Sequence, residues 1–212
     1  MAKIDPYLTI VNKEHNFDES MLEQFNMIKV KDSDGPTYME EKTYEALGNL
    51  SEFLAKKHGI KIGLTSAGRT VERQQQVLNE MIALNGEKAK QTTALPGQSE
   101  HHLGTALDVY PTSLKSKILT NITKPLPKDV RKDVVNPIRD DLYAKLHASL
   151  EQFGFILRYT KDKQEKTGYP AERWHIRYVG KENAKAMNNA NMCLEEYVEF
   201  LKENENIKDE KE

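Results

Sequence analysis

Two short stretches hold most of the chemistry this sequence can offer. They are Ser99-Glu100-His101-His102-Leu103-Gly104-Thr105-Ala106-Leu107-Asp108 and, far downstream, Glu172-Arg173-Trp174-His175. Two imidazoles and a carboxylate, drawn together, would offer two nitrogen ligands and one oxygen ligand to a divalent ion. On Zn²⁺ that set leaves the fourth tetrahedral position open to water, which separates a reactive site from a closed structural one. Glu172, three residues before His175, is then placed to take a proton from that water. The chemistry suggested is metal-dependent hydrolysis.

Asp108 interrupts an otherwise apolar run, Ala106-Leu107-Asp108-Val109-Tyr110. Burying a carboxylate is costly unless a cation or hydrogen bonds compensate it. Metal ligation is one compensation; the plainer reading is an Asp facing solvent from the open side of an edge strand. His101 lies upstream with Gly104 between, so the chain can turn and bring both side chains to one point. His101 and His102 are adjacent and either could be the ligand. In an extended segment neighbouring side chains point opposite ways, so only one of them should reach a metal. His15, His58 and His147 read as ordinary surface or core residues, and His58, just before Gly59, suits the negative end of a helix.

These residues need elements to position them. Pro36 opens a segment in which Tyr44, Leu47, Leu50, Phe53 and Leu54 recur at helical spacing until Gly59. Ile60 to Thr65 alternates as a strand, Val71 to about Leu84 reads as a second helix, and Pro96-Gly97 as a turn. Ala106 to Tyr110 is a further strand, and residues 111–136, rich in Pro and Lys, read as an irregular surface excursion. Pro137 to Phe153 forms a third helix, Phe155 to Tyr159 and Ile176 to Val179 two more strands. Ala186, Ala190, Cys193, Tyr197 and Leu201 mark a C-terminal helix. Helices and strands mix without regular alternation, which predicts an α+β fold with a small, mainly antiparallel sheet flanked by helices. The expected organisation is a lead-in over residues 1–35 packed on one domain over 36–202, then a charged flexible tail over 203–212.

Composition narrows the function classes. Charged residues make up 30% of the 212, against an average of about 25%. The 31 basic and 33 acidic residues give a net charge of -2, so no nucleic-acid partner is expected. The single Cys193 forms no internal disulfide and anchors no cysteine zinc site, leaving His, Asp and Glu as ligands. No stretch approaches the roughly 20 apolar residues of a membrane span, and Met1 to Val11 shows no signal-peptide pattern. A cytoplasmic monomer is expected from the sequence as written; a leader or anchor outside it would place the protein in the cell envelope.

The two motifs also carry a resemblance. Ser99-x-His101-x-x-Gly104-x-Ala106-x-Asp108 resembles the signature of the VanY-like D-alanyl-D-alanine carboxypeptidases, relatives of the VanX and VanXY peptidases. Gly154 to Tyr159, Thr167-Gly168-Tyr169, and Glu172-x-Trp174-His175-x-Arg177-Tyr178-Val179-Gly180 continue the match in order. Ser66-x-x-Arg69 with Gln74, and Leu8-x-x-Val11-Asn12-Lys13, extend it to roughly residues 8–180. The resemblance implies a hedgehog/DD-peptidase-like fold with one Zn²⁺ at the sheet, held by His101, Asp108 and His175, with Glu172 as general base and later proton donor. Arg69 would stabilise an oxyanion, a role its fixed charge suits. Gln74, Ser99 and Tyr159 would hold the substrate's terminal residue and carboxylate, with Trp174 as a packing wall.

The implied activity is zinc-dependent removal of a terminal D-alanine from peptidoglycan stem peptides or precursors. The alternatives are an L,D-carboxypeptidase, a D,D-dipeptidase, an endopeptidase of phage type, or a non-catalytic module that binds wall peptides. Three departures bear on substrate preference. Gly68 stands where the family usually has an aromatic residue, removing a side chain from the pocket wall, His102 replaces a common Gln, and Arg173 a common Pro.

Overall fold

The computed structural model describes residues 5–113 and 137–209. Strands β1 (Met27–Asp32) and β2 (Gly35–Glu40) pair as an antiparallel hairpin around Ser33-Asp34. The expectation of a helix from Pro36 is therefore corrected: residues 35–40 are strand, and α1 runs from Glu41 to His58. Pro36 lacks an N–H, which a two-stranded ribbon tolerates, and Glu40 caps α1 by accepting from the N–H groups of Lys42 and Thr43. The hairpin also straddles residue 35, so the division expected there falls inside one supersecondary unit. Gly59, at φ 64°, ends α1 in the left-handed conformation that glycine adopts without strain.

After α1 come β3 (Ile60–Ser66), α2 (Val71–Asn85) and the short α3 (Ala89–Thr92). A single 3-10 turn, Glu100–Leu103, then leads through Gly104 into β4 (Ala106–Ser113). Residues 111–113, expected in the irregular excursion, extend β4, and 114–136 lie outside the described residues. Helix α4 (Pro137–His147) stops short of the expected Phe153. A turn and a 3-10 segment, Glu151–Phe153, follow, and Gly154 at φ 81° turns the chain into β5 (Phe155–Tyr159). After α5 (Gln164–Thr167), β6 (Glu172–Tyr178) begins four residues earlier than expected, at the carboxylate of interest.

The sheet order is β3-β4-β6-β5 and every pairing is antiparallel. One apolar face packs Leu64, Leu107, Val109 and Ile176 against Leu47, Leu50 and Leu54 of α1 and Leu146 of α4. Burial of these side chains is the main force holding the sheet in place.

The expected C-terminal helix is two: α6 (Lys181–Ala190) and α7 (Leu194–Asp209). The break falls at Asn191, which adopts φ 51°, a conformation Asn tolerates better than most residues. Helix α7 continues to Asp209 and so takes in residues expected to fray. Leu8 of the N-terminal segment packs with Val179, Met187, Leu194 and Val198 in a second apolar cluster. The lead-in is thereby tied to the C-terminal helices.

Candidate metal centre

Strand register does half of the assembly. Asp108 on β4 pairs directly with His175 on β6, and Ser66 on β3 pairs with Asp108 from the other side. A bulge between Leu64 and Ser66 frees Thr65, whose hydroxyl donates to the Asp108 carbonyl at 2.9 Å. His101 arrives from the 3-10 turn. Ser99 caps that turn, and Gly104 closes it at φ 68°, a left-handed conformation in which a Cβ would also crowd Met27 and the Glu40 backbone at 3.1 and 3.2 Å. His101, Asp108 and His175 offer ligand atoms that all lie within 4.8 Å of one another.

The donor chemistry fits a divalent metal. His101 Nδ1 donates to the Ala67 carbonyl at 2.7 Å, which leaves Nε2 facing Asp108 Oδ1 at 3.4 Å. His175 Nδ1 lies 3.1 Å from the same oxygen. Both imidazoles are buried, and their ring centroids stand 5.0 Å apart at 89°. Asp108 therefore does not face solvent from an edge strand. Burial alone would raise its pKa, but His101 and His175 outweigh that and hold it well below the usual range.

His102, the open alternative, points elsewhere. Its Nε2 accepts from the Gly97 N–H at 3.1 Å and its Nδ1 donates to the Arg69 carbonyl at 2.6 Å, with Phe17 against the ring. It is a loop staple. His147 likewise bonds the Arg173 carbonyl, His15 bonds Asn12, and His58 packs on Phe53.

Around these three side chains stand the other expected residues. Glu172 Oε2 is 3.8 Å from His175 Nδ1. Burial, reinforced by Asp108, pushes the Glu172 carboxyl up to about 7, against the opposing pull of His175 and Arg69. Trp174, expected as a wall, lies two residues along β6 from Glu172 and so on the same face of the strand. Arg69 Nη2 lies 3.8 Å from Asp108 Oδ2 and donates to Ser66 Oγ at 2.7 Å. Tyr159, paired with Glu172 across β5 and β6, stacks on His175 with centroids 4.8 Å apart.

Gln74 is buried with both ends of its amide engaged. Its oxygen accepts from Arg69 Nη1 at 2.7 Å and its nitrogen donates to the Ala94 carbonyl at 2.6 Å, so it meets the site through Arg69. Ser99 is buried beside His101, whose N–H it accepts at 3.4 Å.

Sequence reasoning assigned no role to Tyr38 or to the charges beneath His175. The Tyr38 ring fills the space over Gly68 that a side chain at that position would need, and its hydroxyl donates to the Arg69 carbonyl at 2.9 Å. Beneath the site, Glu100, Arg158 and Arg177 are all buried and interact. Arginines inside the apolar strands Phe155–Tyr159 and Glu172–Tyr178 were the available signal.

A small antiparallel sheet with a His/Asp/His set, a flanking carboxylate and a held arginine has the features of an α+β metallohydrolase. The chain belongs to the VanY D-alanyl-D-alanine carboxypeptidase family, whose match spans residues 36–181. It is 32% identical over 199 residues to the bifunctional D-Ala-D-Ala dipeptidase and carboxypeptidase VanXYC of Enterococcus gallinarum, covering 92% of this chain and 94% of that protein. It is also 32% identical over 166 residues to YodJ of Bacillus subtilis, covering 78% of this chain but only 55% of YodJ. The solved structure of a VanY D,D-pentapeptidase variant with Zn(II) superposes with a TM-score of 0.69 at 28% identity, covering 92% and 99% of the two chains. That of VanYB with D-alanine-D-alanine gives 0.70 at 28% identity, covering 92% and 98%.

Proposed function

We propose that this chain is a zinc carboxypeptidase that hydrolyses the last peptide bond of peptidoglycan stem peptides or precursors ending in D-alanine. The observation that carries the reading is the convergence of His101, Asp108 and His175 with the Glu172 carboxylate on one side and the Arg69 guanidinium on the other. When bound, zinc supplies Lewis acidity, bringing the pKa of a water toward about 7 and polarising the scissile carbonyl.

The protein's own groups complete the reaction. Glu172, its carboxylate 3.8 Å from His175, takes a proton from the attacking water. It later delivers that proton to the departing amino group as the carbon–nitrogen bond breaks. Arg69, held by Gln74 and Ser66, offers fixed positive charge to the developing oxyanion. Ser99 and Tyr159 hold the terminal residue and its carboxylate, and Gln74 serves them by fixing Arg69. A D-alanine terminus offers only a methyl and a carboxylate, so polar clamps outweigh a deep apolar pocket in recognising it.

The reading takes the chain as a monomer, which sedimentation tests. No described helix is long and apolar enough to cross a membrane. Precursors in the cytoplasm and stem peptides in the envelope would both present the required terminus, and cell fractionation separates these locations. The deciding assay incubates zinc-loaded protein with a muramyl pentapeptide, a muramyl tetrapeptide and free D-Ala-D-Ala, and measures released D-alanine. Release from the pentapeptide is expected, with a fall of about 10²–10⁴-fold in Glu172→Ala at unchanged zinc content. Equal rates in the two proteins would remove Glu172 from its role, and release from the tetrapeptide alone would replace D,D- by L,D-specificity.

A further inference from the structure

Two histidines face the candidate metal, and what stands behind each ring differs. His101 leans on a backbone carbonyl, that of Ala67. Behind His175 stands Glu100. Glu100 Oε2 and His175 Nε2 are both buried, neither has a hydrogen-bond partner, and they face each other at 3.5 Å. An unpaired carboxylate oxygen and an unpaired imidazole nitrogen are each costly in a dry interior. A proton on Nε2 directed at Oε2 satisfies both.

The carboxylate is itself clamped. Its other oxygen accepts from Arg158 Nε at 2.8 Å and lies 3.0 Å from Arg177 Nη1. His175 and Arg177 are two apart on β6 and so share one face of the sheet. Arg158 turns its remaining nitrogens to Glu195 of α7, at 2.9 and 2.6 Å. Buried Glu100, Arg158 and Arg177, with half-buried Glu195 at the edge, thus balance two acids against two bases, so the Glu100 charge is retained without a net charge in the set. The set reaches outward as well. Arg177 Nη2 donates to the carbonyls of Tyr7 and Thr9 at 3.1 and 2.9 Å, and Asn12 donates to Glu195 at 3.4 Å.

We propose that Glu100 is the positioning residue of the metal centre: it accepts the Nε2–H of His175 and holds the ring with Nδ1 presented to the ion, while Arg158 and Arg177 hold Glu100. Resting on the metal reading above, this assigns the buried charges a task in the site. The same arginines reach segments outside residues 36–181, at Tyr7, Thr9 and Glu195, without touching the ligand itself. Carboxylates behind metal-bound histidines fix tautomer and ring direction, and their loss typically weakens metal affinity by about 10–100-fold.

The test measures zinc dissociation constants of the full chain by chelator competition for wild type, Glu100→Gln, Glu195→Gln and Asp108→Asn. Glu100→Gln keeps the shape but cannot accept from His175 and from both arginines at once, so its affinity should fall by about tenfold or more. Glu195→Gln loosens Arg158 while leaving the Glu100–His175 contact, so its affinity should stay within about twofold. Comparable losses in both variants would mean general loosening and would overturn the proposal, as would an unchanged constant in folded Glu100→Gln. Zinc-loaded wild type, labelled with ¹⁵N-histidine, gives a readout that needs no variant to fold: the His175 Nε2–H resonance should persist in water, and its loss to rapid solvent exchange would sink the assignment. Unchanged zinc affinity in Asp108→Asn would bring down the metal reading, and this proposal with it; a loss there with none in Glu100→Gln brings down this proposal alone.

Discussion

The site has two halves built by different physics. Asp108, Glu172, His175 and Tyr159 sit on adjacent strands, where backbone pairing fixes their separation. Arg69, Ser99 and His101 sit on loops between β3 and β4, where nothing periodic fixes them. They are held by remote hydrogen bonds instead: Gly68 N–H to the Tyr38 carbonyl at 2.8 Å, Arg69 N–H to the His101 carbonyl at 3.0 Å, and Glu40 N–H to the Gly104 carbonyl at 3.0 Å. The β1–β2 hairpin, which contributes no expected ligand, is therefore the scaffold of the loop half. Asp32 completes that link by accepting from the Ala67 N–H at 3.0 Å. A strand-borne ligand is secured by every rung of its ladder, whereas a loop-borne one depends on a few identifiable bonds.

That contrast can be broken from either side. His175→Ala, on the sheet half, should abolish zinc retention and turnover together while the fold persists, which metal analysis beside circular dichroism would show; full zinc content would separate His175 from the ion. Gly68→Val, on the loop half, should destabilise by about 1–3 kcal/mol, because its Cβ would overlap the Tyr38 ring and carbonyl. Thermal unfolding reads that loss, and kcat/KM should fall with it as Arg69 is displaced. Tyr38→Phe keeps the ring but removes the bonds to the Arg69 and His102 carbonyls. A loss of about 0.5–1.5 kcal/mol is expected, with a few-fold fall in kcat/KM and unaltered zinc affinity.

The smallest effect is a titration. Burial pushes the Tyr38 phenol up to about 12 from an ordinary value of 10. A raised acid binds its proton more tightly in the folded state, so its contribution is whole below pH 10 and is lost as pH rises through 12. Tyrosinate absorbance in Tyr38→Phe should lack one late-titrating group, and the variant's stability should fall less steeply in that alkaline window. An identical alkaline titration in the two proteins would contradict the buried placement of this hydroxyl.

Much of the site was legible because its residues are out of place by composition. Asp108 within an apolar strand and His175 three residues after Glu172 announce chemistry at the level of spacing. The choice between His101 and His102 was not legible, since both are buried and adjacent and only the partners of each ring tell them apart. Nor was the strand over 35–40, where a proline suggested a helix start and the capping carboxylate lay four residues further on. The break at Asn191 escaped because apolar spacing continues across it.

The amino-acid order by itself determined the α+β class, the His and Asp residues available to a metal, the carboxylate three residues before His175, and the family signature, since these depend on local periodicity and residue chemistry. Tertiary structure alone decided that Asp108 meets His175 in register, that Tyr38 covers Gly68, and that Glu100 lies between two arginines behind His175. Each of those contacts joins residues more than 25 positions apart or selects one direction for a side chain. Neither is encoded in local sequence; both are settled when the strands pair and the core closes around them.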